Sequence, residues 1–205
     1  MNNIKIFDQD LPNDIDLSNE KVIGLDCEAL GLVLGRDPLT LVQLGLESKK
    51  YFLIKLNRNN YNAPNLKKLL SNNKIQFIMH YARQDLLWLK YHLGIEIKNI
   101  FCTKLASKIA RTASSYHGYK DLVKELCGKD ISKKEQQSDW GNPNLSEKQI
   151  SYAAQDTEHL FEIKNKLLKM LIREKRQHLF EKCLKVVPIL VDIEIAGFKL
   201  NVFEH

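Results

Sequence analysis

Apolar residues in the first hundred positions fall in short dense runs rather than at helical spacing. Val22 to Leu25 is a run rich in β-branched residues that ends in Asp26-Cys27-Glu28, the pattern of a buried strand. Leu39 to Leu46 and Tyr51 to Leu56 repeat it on either side of the polar residues 47–50, so the spacing predicts an antiparallel hairpin. Ile75 to Met79 predicts a fourth strand and Ile97 to Phe101 a short fifth. Helical periods interleave and then take over. Pro64 opens a short helix over Asn65 to Leu70. Ala82 to Leu93 carries leucines at 86, 89 and 93 and stops at Gly94. Lys104 to Arg111 and Lys120 to Leu126 follow, the second stopped by Gly128. Ser146-x-x-Gln149 is a capping box that starts a long helix reaching about Arg173. A further helical segment is interrupted near Pro188, and a mixed tail ends at His205. Strands first, one strand-to-helix crossover, then mostly helices: the order predicts an α/β layered domain with a mixed sheet flanked by helices.

Composition narrows the class without naming a function. The 205 residues are 44% hydrophobic and 27% charged, a balance that excludes a disordered chain. No run approaches the ~20 apolar residues of a membrane helix, and Met1 to Asp10 has no apolar core like that of a secretory signal. The four cysteines, at 27, 102, 127 and 183, show no zinc-site spacing, which predicts reduced thiols and a cytoplasmic protein. Thirty-one basic against 25 acidic residues leave a formal charge of +6, a weak pull towards polyanions.

The carboxylates change the picture. Asp26 and Glu28 are two apart at a strand end, so they share one face. Asp85 opens the helix after the fourth strand, and Asp156 lies within the long helix with Tyr152 four residues before it on the same face. Singly, each has an ordinary role: a strand-end cap, a first-turn acid, a helix-surface pair. Gathered in one place they repel one another unless a cation joins them. An all-oxygen set suits Mg²⁺ or Mn²⁺, and two such ions ~3.5–4 Å apart are a known solution for phosphodiester cleavage.

Three segments then stand in order: Gly24-Leu25-Asp26-Cys27-Glu28-Ala29-Leu30-Gly31-Leu32, His80-Tyr81-Ala82-Arg83-Gln84-Asp85-Leu86, and Tyr152-Ala153-Ala154-Gln155-Asp156. They resemble the three motifs of the DEDD superfamily of 3′–5′ exonucleases, whose domains have a ribonuclease-H-like fold. The tyrosine four residues before the last Asp is that of the tyrosine branch, which includes ribonuclease D. The stretch Ile131 to Trp140, followed by Leu145-Ser146-Glu147, is similar to the segment before the third motif in ribonuclease D. Chain length, Asp10-Leu11-Pro12, Ala63-Pro64-Asn65-Leu66 and Phe101-Cys102-Thr103-Lys104-Leu105-Ala106-Ser107-Lys108 most resemble the compact nano-RNase C type of alphaproteobacterial exonuclease.

The resemblance implies an exonuclease domain over 1–175, with 176–205 a helix and tail packing on that domain or on a neighbouring copy. It implies an exoribonuclease that degrades short single-stranded RNA, down to dinucleotides, to nucleoside 5′-monophosphates, and that assembles into a ring-like homo-oligomer. Trimming of longer or structured RNA, as in ribonuclease D, or digestion of DNA is the alternative. Asp26, Glu28, Asp85 and Asp156 would hold two divalent cations, and Tyr152 would orient the attacking water. Leu30, Gly31 and Leu32 would meet the terminal bases, with Leu32 either a wedge or a core residue. His80 and Arg83 would reach phosphate, although His80 equally suits a backbone contact. Lys133, Gln137 and Trp140 lie in the polar segment before the long helix, where Trp140 is either a stacking platform or a core anchor. One departure is clear: ribonuclease D usually has Asp-Thr-Glu-Phe where this chain has Asp26-Cys27-Glu28-Ala29. Position 27 should face away from the cations, and position 29 bears on how the terminal base is held.

Overall fold

In the computed structural model, which describes residues 3–132 and 134–197, six strands form one sheet in the order β1-β4-β3-β2-β5-β6. They are β1 (Ile4–Asp8), β2 (Val22–Ala29), β3 (Leu39–Gly45), β4 (Tyr51–Lys55), β5 (Gln76–Met79) and β6 (Ile100–Cys102). The β2-β3-β4 meander is antiparallel, as the polar break at 47–50 requires, while β5 and β6 join parallel to β2. The helices are α1 (Pro64–Leu70), α2 (Ala82–Leu93), α3 (Thr103–Ala110), α4 (Tyr119–Leu122), α5 (Glu147–Glu158), α6 (Leu160–Arg173) and α7 (Gln177–Ile195).

The elements differ from the sequence expectation in five places. The edge strand β1 pairs parallel with β4; its half-exposed Ile-Lys-Ile-Phe-Asp pattern carries no turn signal to announce it. The last strand covers Ile100–Cys102 rather than 97–101, because Cys102 already caps α3. The helix expected over 120–126 begins as α4 and widens into a π-helical turn, Val123–Cys127. The long helix expected to 173 breaks at His159, between α5 and α6. Pro188 does not interrupt α7. It removes one backbone donor, and buried Val187, Leu190 and Val191 on either side keep the helix on the body of the domain.

The sheet has two apolar faces. Ile23, Leu25, Val42, Leu44 and Ile54 face one core with α2 and α7 residues. Leu41 and Leu53 face the other with Trp140, Tyr152 and Ala153. Here α5 lies against the strands with unusual closeness. A Cβ on Gly45 would meet Thr157 Oγ1 at 2.4 Å, and one on Gly24 would meet the Thr157 carbonyl at 3.3 Å. Two glycines paired across β2 and β3 therefore let α5 settle onto the sheet. Thr157 donates its hydroxyl to the Ala154 carbonyl (3.1 Å), a back-bond that bends helices. Tyr119 bridges the break: its hydroxyl donates to the Gln155 carbonyl (2.9 Å) and accepts the His159 N–H (3.2 Å).

Gly45→Ala should therefore destabilise the domain by about 1–3 kcal/mol, the cost of overpacking. Urea unfolding measures it, and adding Thr157→Ala should recover most of the loss. Equal destabilisation in the single and double variants would refute this packing account.

Candidate active site

β2 delivers the first two acids. Alternation along the strand puts Gly24, Asp26 and Glu28 on the α5 face, while Cys27 packs towards the opposite core, as expected. The β2–β3 register slips between Glu28 and Ala29, skipping Thr40. The Thr40 hydroxyl donates to the freed Glu28 carbonyl (2.9 Å), which holds the strand end that carries the acids. α5 brings Asp156 down onto them: Asp26, Glu28 and Asp156 each offer an oxygen, all within 4.8 Å of one another. Asp85 comes from the first turn of α2 and is buried. Tyr81 precedes that helix in a left-handed conformation (φ 66°), an uncommon one for a tyrosine, which turns the chain from β5 into α2.

The electrostatics are those of anions forced together. Burial first, then the charges of Asp85, Asp156 and Glu28, hold the Asp26 carboxyl well above the carboxylate range. Burial, followed by Asp156 and Asp85, pushes Glu28 up to about 9. Asp85 is also raised well above its ordinary value by burial, although the Cys27 and Asp85 backbone N–H groups oppose the shift. Asp85 Oδ2 is buried with no hydrogen-bond partner. Burial and the neighbouring carboxylates keep the Tyr152 phenol protonated far beyond neutral pH. In this state its hydroxyl is a hydrogen-bond donor rather than a proton acceptor. An oxygen-only set, mutually repelling and with an orphaned carboxylate oxygen, fits a hard divalent cation.

The other expected residues separate into groups. Leu30 and Val33 are exposed and Leu32 is 81% exposed, so Leu32 is not a core residue. Their loop is pinned by Asp37, which accepts from the Val33 N–H (2.9 Å) and from Arg36 Nε and Nη2 (both 2.7 Å). Arg36 first, then the Val33 N–H, lower the Asp37 carboxyl to about 2. Gly31 lies so close to Asp37 that a Cβ there would fall 2.2 Å from Oδ2. His80 Nδ1 is 2.9 Å from the Thr103 hydroxyl, which itself donates to the Met79 carbonyl (3.3 Å). Arg83 donates to Tyr81 Oη (2.8 Å) and is ion-paired with Glu194 of α7, so its guanidinium is tied to the C-terminal helix. Trp140 is buried, its ring centroid 6.0 Å from that of Tyr152, and it backs the tyrosine. Gln137 is exposed in a 3₁₀ turn, Lys134–Gln137, and Lys133 lies outside the described residues. Thr40, Asp37, Tyr119 and Thr103 escaped the sequence reading. Each acts through a contact with residues distant in sequence or through a backbone group, and neither leaves a mark in spacing. A second donor cluster, Cys127, His159 and Glu162, is less suited to a cation. Glu162 already pairs with Lys166 (2.7 Å).

A family model described as 3′-5′ exonuclease matches residues 4–172. Ribonuclease D of Xanthomonas oryzae pv. oryzae is 34% identical over 154 residues, covering 75% of this chain but 42% of that protein. The chain thus spans about two fifths of the length of this curated relative. Brucella melitensis NrnC bound to pGG superposes with a TM-score of 0.91 at 36% identity and covers 98% of both chains. NrnC with bound Mg²⁺ gives 0.91 at 35% identity, again over 98% of both.

The raised carboxyls carry a pH consequence. In the folded, chelator-treated protein Glu28 keeps its proton to about pH 9, whereas an unfolded Glu loses it near ~4.3. Between those limits the folded state binds more protons, so its stability falls as pH rises. The melting temperature of the chelator-treated protein should decline over that window. Asp26→Asn should flatten the decline and raise the neutral-pH value by roughly 2–4 °C, about 1 kcal/mol in a domain of this size. A melting temperature that rises from pH 5 to pH 9 would contradict the crowding described above.

Proposed function

The chain belongs to the 3′–5′ exonuclease family, in its DEDD, ribonuclease-D-like branch, and from that premise we propose that it hydrolyses short single-stranded RNA from the 3′ end, dinucleotides included, to nucleoside 5′-monophosphates. The observation that carries this reading is the convergence of Asp26, Glu28 and Asp156 under Tyr152, with Asp85 buried beside them.

In this reading Asp26, Glu28, Asp85 and Asp156 hold two divalent cations, Mg²⁺ or Mn²⁺. When bound, the cations let the carboxylates ionise and stabilise charge on the attacking and leaving oxygens of the phosphodiester. The chain's own groups do the rest. Tyr152, kept protonated and backed by Trp140, donates a hydrogen bond that orients the water in line with the scissile phosphate. Exposed Leu32, with Leu30 beside it, offers apolar surface to the terminal bases. The Asp37–Arg36 pair holds that loop to one shape, so little ordering entropy is lost on binding.

One observation favours a short substrate: NrnC, matched along 98% of both chains, is bound to pGG. Trimming of longer or structured RNA, or of DNA, remains the second reading, favoured by the 34% identity to ribonuclease D. Self-association belongs to the same proposal. Leu179, Val186 and Ile189 are exposed on α7, a surface suited to a second copy of this chain, and a ring is the assembly expected. Among the described residues no helix is long and apolar enough to cross a membrane. With all four cysteines unpaired, a cytoplasmic location completes the reading.

A 5′-labelled RNA dinucleotide and a long labelled single strand, each incubated with the protein and Mg²⁺ or Mn²⁺, test it. The dinucleotide should disappear much the faster. Asp26→Asn should lower either rate at least ~10³-fold, and Tyr152→Phe about 10²–10³-fold, the usual cost of losing one positioned donor. Equal or faster trimming of the long strand would favour the second reading, and no cleavage with either metal would remove both.

A further inference from the structure

One buried polar side chain near the acids has no role so far. Gln43 lies in the middle of β3, whose other side chains at 39, 41, 42 and 44 are apolar. It is 0% exposed, and neither Oε1 nor Nε2 has a hydrogen-bond partner. Leaving an amide unsatisfied inside a protein is costly, and a leucine would fit a strand of this pattern.

Its neighbours suggest why the amide is there. In the sheet register Gln43 stands directly opposite Asp26 on β2 and opposite Leu53 on β4. Register partners point to the same face of a sheet, with Cβ atoms ~4.5–5.5 Å apart. Leu53 belongs to the cluster of Tyr152, Trp140 and Ala153, so Gln43 rises on the α5 side of the sheet. Asp26 is the carboxylate on which Asp85, Asp156 and Glu28 all press. A neutral donor beside it offers the ionised carboxylate a partner without adding an ion that would compete with the cations.

We propose that Gln43 is a positioning residue of the cation site: its Nε2, unpartnered in the cation-free chain, is the donor that the ionised Asp26 carboxylate takes up when a divalent cation is bound, which fixes that carboxylate's orientation. The proposal rests on the reading of Asp26, Glu28, Asp85 and Asp156 as cation ligands. Groups that orient metal ligands through hydrogen bonds typically matter 10–100-fold for metal affinity or activity. Gln43, opposite Asp26 on the neighbouring strand, is placed to do the same.

The test uses the full chain with Gln43→Leu and Gln43→Met, which keep the volume and remove the donor, beside Asp26→Asn. Calorimetric titration with Mg²⁺ should show binding weakened about 10–100-fold in both Gln43 variants. Their melting temperatures in chelator should be unchanged or higher, since an unsatisfied amide has gone. Cleavage of the labelled dinucleotide should require more Mg²⁺ and recover towards the wild-type rate at saturating Mg²⁺, with KM for RNA unchanged. Wild-type Mg²⁺ affinity in either variant overturns the proposal, as does a lower melting temperature in chelator with unaltered Mg²⁺ affinity, which would make Gln43 a packing residue. Asp26→Asn separates the two levels. If it still binds Mg²⁺ and cleaves as the wild type does, the ligand reading itself fails. If it is inactive while the Gln43 variants match the wild type, only the role of Gln43 falls.

Discussion

Everything at this site depends on holding like charges together. Asp26, Glu28, Asp85 and Asp156 come from β2, α2 and α5, and burial, together with neighbouring carboxylates, makes Asp26, Glu28 and Asp85 less stable as anions. Packing opposes that repulsion. Gly24 and Gly45 let Thr157 press onto the sheet, and the apolar contacts of Leu41, Leu53, Trp140, Tyr152 and Ala153 keep the first part of α5 in place. Hydrophobic burial along the sheet-facing side of α5 thus holds Asp156 against the acids of β2. A divalent cation bound there would relieve the crowding of these groups.

The surroundings are arranged to preserve this state. Thr40 satisfies a carbonyl freed by the register slip, at the point where β2 must present its acids. Tyr119 bridges the break between α5 and α6 just beyond Asp156, so that α6 can turn away without loosening the end of α5. The Tyr81–Arg83–Glu194 contacts tie α2, the helix of Asp85, to the far end of α7. The substrate contacts we propose fall on a different kind of structure. The loop after β2 exposes Leu32, yet Asp37 and Arg36 brace it, which combines an apolar surface with a defined shape.

Much of this was legible in the sequence. The dense apolar runs and the polar break between them predicted the meander and its antiparallel sense, the capping box located the start of α5, and strand alternation alone put Asp26 and Glu28 on one face with Cys27 behind them. These features are local: they follow from the pleat of a strand or the pitch of a helix, and neighbours in sequence suffice to determine them. The motif order, a resemblance rather than a derivation, identified the family and the residues to watch.

Tertiary structure decided what depends on neighbours distant in sequence. The long helix divides at His159 because Thr157 docks on two glycines and Tyr119 takes up the freed backbone groups, and no periodicity encodes either contact. Arg83 pairs with Glu194, over a hundred residues away, and Trp140 becomes the backing of Tyr152 rather than an exposed ring. Gln43 passed unnoticed as one polar letter in an apolar strand, and only the β2–β3 register places it opposite Asp26. Sequence determined which side chains lie on which face; the fold decided which faces meet, because repulsion, docking and burial act between elements and depend on distances that the chain acquires only when folded.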